Sequence, residues 1–203
     1  MKIEVVSGDV TQQQVGAIVV NLFEGVKEPS GATRAADEAL DGAVSALIAD
    51  GEIKGKLGEM TLVHTLGKMR PSRVLVAGLG RPSKFGSDTV RRVSAESTRY
   101  LRRINVDSFA TVVHGAGTGG LEPGDSGRAI AEGAILGDYR FAKHKSDGEN
   151  EGVQSMTIVE SDPVKCPAIE KGAEAGTVVA EAGNLCRDLA NEPANHMTPT
   201  RMA

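Results

Sequence analysis

The run Gly115-Ala116-Gly117-Thr118-Gly119-Gly120 is where this chain comes nearest to a phosphate-binding motif. It satisfies Gly-x-Gly-x-x-Gly after a stretch that reads as a strand. Asp138 lies near the distance at which a dinucleotide-binding fold places its ribose-binding acid. The chemistry would be a diphosphate held by backbone amides at a helix N-terminus. Leu121-Glu122-Pro123, however, separates the glycines from the next helix, so a turn needing positive φ is the stronger reading. No Gly-Lys-Ser or Gly-Lys-Thr follows, which excludes a nucleoside-triphosphate loop on pattern.

Other reactive side chains form no constellation. His64, His114, His144 and His196 lack ligand spacing such as His-Glu-x-x-His, and the first two fall beside expected strands, where a hydrogen-bonded structural role is expected. Ser7, Ser30 and Ser126 lie near glycine, but none sits in Gly-x-Ser-x-Gly. Asp37, Glu38 and Asp41 read as the solvated side of a helix. Arg91, Arg92, Arg99, Arg102 and Arg103 form a basic helix face interrupted by Glu96. With a net charge of −4 the expectation is a solvated face or a subunit contact, and nucleic acid is not an expected partner. Cys166 and Cys186 flank one expected helix, about 30 Å apart at 1.5 Å per residue, so free thiols and a reducing compartment are expected.

The elements that must position these residues alternate. Ile3–Val6 and Val15–Leu22 read as strands, the second apolar on both faces. One helix is expected from Ala32 to Ile48, ending at Asp50-Gly51. Strands follow at Glu59–Leu66 and Arg73–Leu79, then a helix at Ser87–Ile104, a strand at Ser108–His114, a helix at Asp125–Phe141 and a strand at Val153–Glu160. Residues 143–152 read as a charged surface connection. The pattern predicts an α/β fold with a mixed sheet flanked by helices, followed by a long helix over Pro167–Ala190. That helix carries Gly172, Gly176 and Gly183 on its inward stripe, a costly choice unless another element approaches closely. The expected partner is a second domain, with the three glycines as the docking surface.

Composition narrows the class. Hydrophobic residues are 40% and aromatic residues 3% of the 203, so the core must be aliphatic. No apolar run approaches the roughly 20 residues of a membrane span, so no membrane partner is expected. The first residues enter an alternating pattern with no signal peptide.

Two resemblances add to this reading. Gly8-Asp9-Val10-Thr11, before the strand that reaches Asn21, resembles the Gly-Asp-Ile-Thr of macro domains and the Asn loop after it. Gly58 to Gly67, with Val63-His64-Thr65, resembles the strand after the macro glycine-rich loop. The Gly115–Gly120 loop sits where macro domains bind a diphosphate. The resemblance implies a ligand pocket at Asp9, Asn21, Gly115, Gly117 and Gly119. It also implies an alternative function, a stand-alone module binding ADP-ribose or a related nucleotide. The chain departs from that pattern at Asn21-Leu22-Phe23-Glu24, where macro domains carry Asn-Ala-Ala-Asn; Phe23 would crowd and Glu24 repel a ribose-diphosphate.

The second resemblance is more specific. Asn191-Glu192-Pro193-Ala194-Asn195-His196-Met197-Thr198-Pro199 resembles the Asn-x-Pro-x-Asn-x-x-Thr-Pro junction of leucine aminopeptidases (cytosol aminopeptidases). Glu132–Phe141 resembles that family's segment near the end of its amino-terminal, macro-like domain. The resemblance implies a macro-like domain over residues 1–162, a linker helix over 163–192 and the start of a catalytic domain over 193–203. Thr198-Pro199 reads as a helix start, yet about one turn remains before Ala203, so a severed chain is expected. The parent enzyme implied is a cytoplasmic, hexameric aminopeptidase releasing N-terminal residues, leucine preferred. It would use two divalent metals, Zn or Mn, that activate a bridging water. Its ligand run, Asn-Thr-Asp-Ala-Glu-Gly-Arg, is absent here, so no catalytic or metal-binding residue and no cofactor is assigned to this chain. Its expected partners are its own catalytic domain and further copies of itself. Alone it is expected to be inactive, with a role in assembly and access to the active site.

Overall fold

A computed structural model describes residues 1–115, 120–144, 152–198 and 200. The strands are β1 (Lys2–Ser7), β2 (Ala17–Phe23), β3 (Met60–His64), β4 (Arg73–Gly80), β5 (Ser108–Val112) and β6 (Ser155–Glu160). The helices are α1 (Gly31–Ala39), α2 (Ala43–Ala49), α3 (Ser87–Arg103), α4 (Pro123–Asp138) and α5 (Cys166–Asn191). One six-stranded sheet runs β1-β6-β5-β2-β4-β3, parallel throughout except for the antiparallel pair β3–β4. The expected mixed α/β sheet is therefore present.

Alternation along β2 splits the core in two. Ala17 and Val19 join Leu75, Val90, Val93, Leu101, Ile130 and Ile169 beneath α3, α4 and α5. Ile18, Val20 and Leu22 join Ala36, Leu40 and Val44 beneath α1 and α2. Burial on both faces explains why β2 and β4 read as nearly continuous apolar runs.

The single helix expected over Ala32–Ile48 is two. Asp41 and Gly42 adopt φ of 55° and 83°, which ends one helix and starts another. Asp37 closes the break: its Oδ1 accepts from the Val44 and Ser45 amides at 2.8 and 2.9 Å, and its Oδ2 accepts from the Ser45 hydroxyl. Asp37 is thus buried, not solvated, and caps α2 from the preceding helix. Glu38 and Asp41 are exposed and pair with Arg34 and Lys68.

The glycine stripe of α5 also finds a partner other than the expected one. A Cβ on Gly172 would stand 2.0 Å from the Gly124 carbonyl oxygen, and one on Gly176 would stand 2.4 Å from that of Arg128. The approach is reciprocal, since a Cβ on Gly127 would meet the Ile169 carbonyl at 2.5 Å. The close neighbour is therefore α4 of the same domain, and these glycines are not open to a second domain. On its other side α4 meets α3, with Gly133 against the Arg91 carbonyl and Gly137 against Ala95. This close backbone approach is confined to the first half of α5; farther along, Gly183 lies beside Leu136, and Asn184 and Arg187 donate to the Ile135 and Leu136 carbonyls. Ile169, Ala173, Gly176 and Ala180 are buried, whereas Val178, Val179, Leu185 and Leu189 are exposed. Cys166 and Cys186 are both free thiols.

Candidate functional site

The carboxyl ends of parallel strands, where this class of sheet opens a crevice, form a cleft of about 750 Å³. Asp9 follows β1, Asn21 and Phe23 belong to β2, Gly115 follows β5, and Glu160, Ser161 and Lys165 lie at the end of β6 and before α5. The first turn of α1, Gly31 to Thr33, closes another side. Three of the five expected pocket residues, Asp9, Asn21 and Gly115, are thus brought together. Gly117 and Gly119 lie outside the described residues.

Each of the three is held by its surroundings. Asp9 Oδ1 accepts from both the amide and the hydroxyl of Thr11 at 2.8 Å, capping a short 3-10 turn. The Asn21 carbonyl oxygen accepts from the Thr33 hydroxyl at 2.6 Å, tying β2 to α1. Its side-chain Nδ2 lies 2.9 Å from Nδ1 of His114, whose Nε2 lies 3.3 Å from Thr111 Oγ1. Complete burial pushes the His114 pKa down to about 4, so the imidazole is neutral at physiological pH. With Nδ1 accepting from Asn21, the proton sits on Nε2 and is donated to Thr111. His114 is therefore the hydrogen-bonded structural residue that its position beside a strand suggests. Gly115 adopts φ of 84°, and a Cβ there would stand 2.3 Å from the Phe85 ring. That ring meets Phe23 edge-on, with centroids 5.2 Å apart. Phe23 accordingly forms part of the cleft wall, as its bulk predicted. Glu24 instead lies with its carboxylate 3.4 Å from Arg81.

The cleft's charge is mixed. Asp9 and Glu160 bring carboxylates and Lys165 one ammonium. Glu160 accepts from the Ser161 hydroxyl and the Asp162 amide. Sequence reasoning missed Glu160 and Lys165, and also Phe85, which packs behind the lining residues Phe23 and Gly115. For Glu160 and Lys165 the usable signal was their place at and after the end of β6, where parallel sheets present side chains to a ligand.

The basic face of α3 is not uniform. Arg91 turns inward to Glu132, 2.6 Å away, and Arg128 reaches the same carboxylate at 2.8 Å. Burial pushes the Glu132 pKa up, but the hydrogen bonds from Arg128 and Arg91 outweigh it and hold the group below the usual carboxylate range. Arg102 donates to the Asp138 carbonyl. Arg91 and Arg102 thus fasten α3 to α4.

The last described stretch is pinned to the domain. Glu192 is buried and accepts from Lys143 Nζ at 3.0 Å and meets His144 Nε2 at 3.1 Å, while the His144 and His196 rings stand 4.6 Å apart. Lys143 and His144 are exposed, in keeping with the charged surface connection expected of 143–152, and they are tied down by Glu192; residues 145–151 lie outside the described residues. The helix start expected at Thr198 also falls largely outside them, on residues 199 and 201–203. Among the described residues no group of three or more His, Cys, Asp or Glu is placed to hold a metal ion, and no helix is long and apolar enough to cross a membrane.

Comparison with known proteins gives a consistent assignment. Residues 19–148 match the family described as "Cytosol aminopeptidase family, N-terminal domain". A probable cytosol aminopeptidase of Alkaliphilus oremlandii is 32% identical over 205 residues, covering 100% of this chain and 41% of the relative. The chain thus spans about two fifths of the length of such relatives. Among solved structures, a tomato leucine aminopeptidase mutant superposes with a TM-score of 0.81 at 22% identity, covering 100% of this chain and 40% of that one. A Trypanosoma brucei macrodomain in complex with ADP shares the fold, with a TM-score of 0.65 at 16% identity, covering 84% of this chain and 68% of that one.

Proposed function

The chain belongs to the cytosol aminopeptidase family as its amino-terminal domain, and from that premise we propose that it is the non-catalytic part of a metal-dependent aminopeptidase. The parent enzyme would release N-terminal residues from peptides in the cytoplasm, with two divalent ions, Zn or Mn, held by the catalytic domain. The side chains described here do not fit a metal centre, so no chemical step is assigned to this domain. Its role is to seat the catalytic domain and to support the oligomer, a hexamer, with access to the active site shaped accordingly.

One observation carries this reading. The second half of α5 keeps one side on the end of α4, through Asn184 and Arg187 donating to the Ile135 and Leu136 carbonyls, while its other side presents Val178, Val179, Leu185 and Leu189 to solvent, immediately before the pinned segment at Glu192. Apolar side chains in such a row favour burial against another surface. Domains 1–162 and 163–192 would then act as one body, with 193 onward leading into the catalytic part. Two measurements test this. The purified chain, given Mn or Zn, should release no leucine from a leucyl anilide. In an enzyme that carries the catalytic domain, Leu185→Asp with Val179→Asp should lower both activity and oligomer mass. Unchanged mass and turnover would reject the role given to α5.

The cleft favours a second reading, since Asp9, Asn21 and Gly115 meet there as a macro-type nucleotide pocket requires. Two carboxylates against one ammonium make it a poor diphosphate site at physiological pH. Calorimetry with ADP-ribose separates the two: saturable binding abolished by Asn21→Leu would favour the nucleotide module.

A further inference from the structure

A second depression, of about 670 Å³, shares no lining residue with the cleft. Arg99, Arg102 and Arg103 reach it from the end of α3, and Arg140 reaches it from just beyond α4. Glu96 is the one carboxylate among its lining residues. A fifth guanidinium borders it: Nη2 of Arg92 lies 3.8 Å from where a Cβ on Gly58, another lining residue, would stand.

Three of these guanidiniums are steered by neighbours. Arg99 donates to Glu96 at 3.0 Å, Arg102 donates to the Asp138 carbonyl at 2.5 Å, and Arg103 lies 5.1 Å above the Tyr100 ring. Guanidiniums held in place lose less freedom when they bind, and their planar forks match phosphate oxygens two at a time. Glu96 offsets Arg99 at 3.0 Å, and the Asp138 carboxylate lies 3.6 Å from Arg102. The four lining arginines thus keep an excess of two positive charges over these two carboxylates, against which the carbonyls ending α3 act as only a fraction of one charge. The contrast with the rest of the molecule is marked: the chain carries a net −4, and the cleft holds more acid than base. A long polyanion would have to lie across that acidic surface, whereas a compact one would meet a lining in which four arginines face the single carboxylate of Glu96.

We propose that this depression binds a small multivalent phosphate anion, a diphosphate or triphosphate group, either free or carried by a nucleotide. Its volume lies within the ordinary range for small-molecule sites.

The test is calorimetry on the whole 203-residue chain with sodium tripolyphosphate. Saturable binding is expected, weakening as sodium chloride is raised. Arg103→Gln with Arg140→Gln, both at exposed positions, should weaken it about tenfold or more through lost charge-assisted hydrogen bonds, with an unchanged melting curve. Should the double variant fail to fold, Arg103→Gln alone gives the same reading. Comparison of pyrophosphate with ADP identifies the source: equal binding points to free phosphate, tighter ADP binding to a nucleotide, and either supports the site. The proposal is overturned by an absence of tripolyphosphate binding, by equal binding to the double variant, or by a short DNA duplex that binds where tripolyphosphate does not.

Discussion

Asn21 and His114, ninety-three positions apart, meet at 2.9 Å where β2 and the end of β5 face one another. The histidine is buried and uncharged, and its two ring nitrogens are both engaged. The floor of the cleft is therefore fixed by a neutral polar pair rather than by an ion pair.

Acid should unfold the protein through this histidine. The folded-state pKa is depressed from 6.5 to about 4. The unfolded chain thus takes up a proton before the folded one does. The stabilisation is complete above pH 6.5, declines as pH falls between 6.5 and about 4, and levels off below that. At full size the loss is on the order of 3 kcal/mol. Urea unfolding across that range should show the decline, and His114→Gln should flatten it. An unchanged slope in the variant would mean another group is responsible.

Along α5, two glycines should respond in opposite ways. Gly176→Ala drives a methyl to 2.4 Å from the Arg128 carbonyl oxygen and should cost about 2 kcal/mol or more. Gly183→Ala places one at 3.4 Å from the flexible end of Leu136 and should be neutral or stabilise by up to about 1 kcal/mol. Melting temperatures of the two variants decide the matter. Equal effects would show that α4 and α5 do not pack as described.

Asp37→Ala removes the acceptor for the Val44 and Ser45 amides and should cost about 1–2 kcal/mol. Asp37→Asn keeps one acceptor oxygen and should recover part of that. Hydrogen exchange at the Val44 and Ser45 amides would locate the effect, which should be confined to α2 and its contacts.

Glu192→Gln should loosen the segment after α5. The hydrogen bond from Lys143, with help from His144, outweighs desolvation and holds the Glu192 pKa below its ordinary value. That contact is intact above about pH 4.5 and is lost as pH falls through the lowered value. Limited proteolysis at neutral pH should cut the variant between Glu192 and Met197 faster than the parent chain. Equal rates would mean that the Pro193 turn holds the segment unaided.

The strands were readable because their burial on both faces leaves a simple mark, as in Ala17–Leu22 and Val74–Leu79. The break at Asp41–Gly42 was not, since Ala36, Leu40 and Val44 keep helical spacing across it and pack into one core cluster. Gly172 and Gly176 announced a close approach correctly, yet helix spacing carries no information about which element approaches. α4 lies some forty residues earlier and shows its matching glycines only once the two are side by side. In the cleft, Asp9 and Asn21 stood out through their local motifs. Phe85 backs Phe23 and Gly115 from a loop after β4, a placement that only the sheet order reveals.

Since carbonyl oxygens of α4 sit directly opposite Gly172 and Gly176, α5 cannot slide along its neighbour by a turn, about 5.4 Å, without driving a side chain into that backbone. Its heading as it leaves the sheet is consequently set to within a fraction of a turn. Whatever is joined after Asn191 inherits that heading, so the three packed helices work as a rigid bracket rather than a tether.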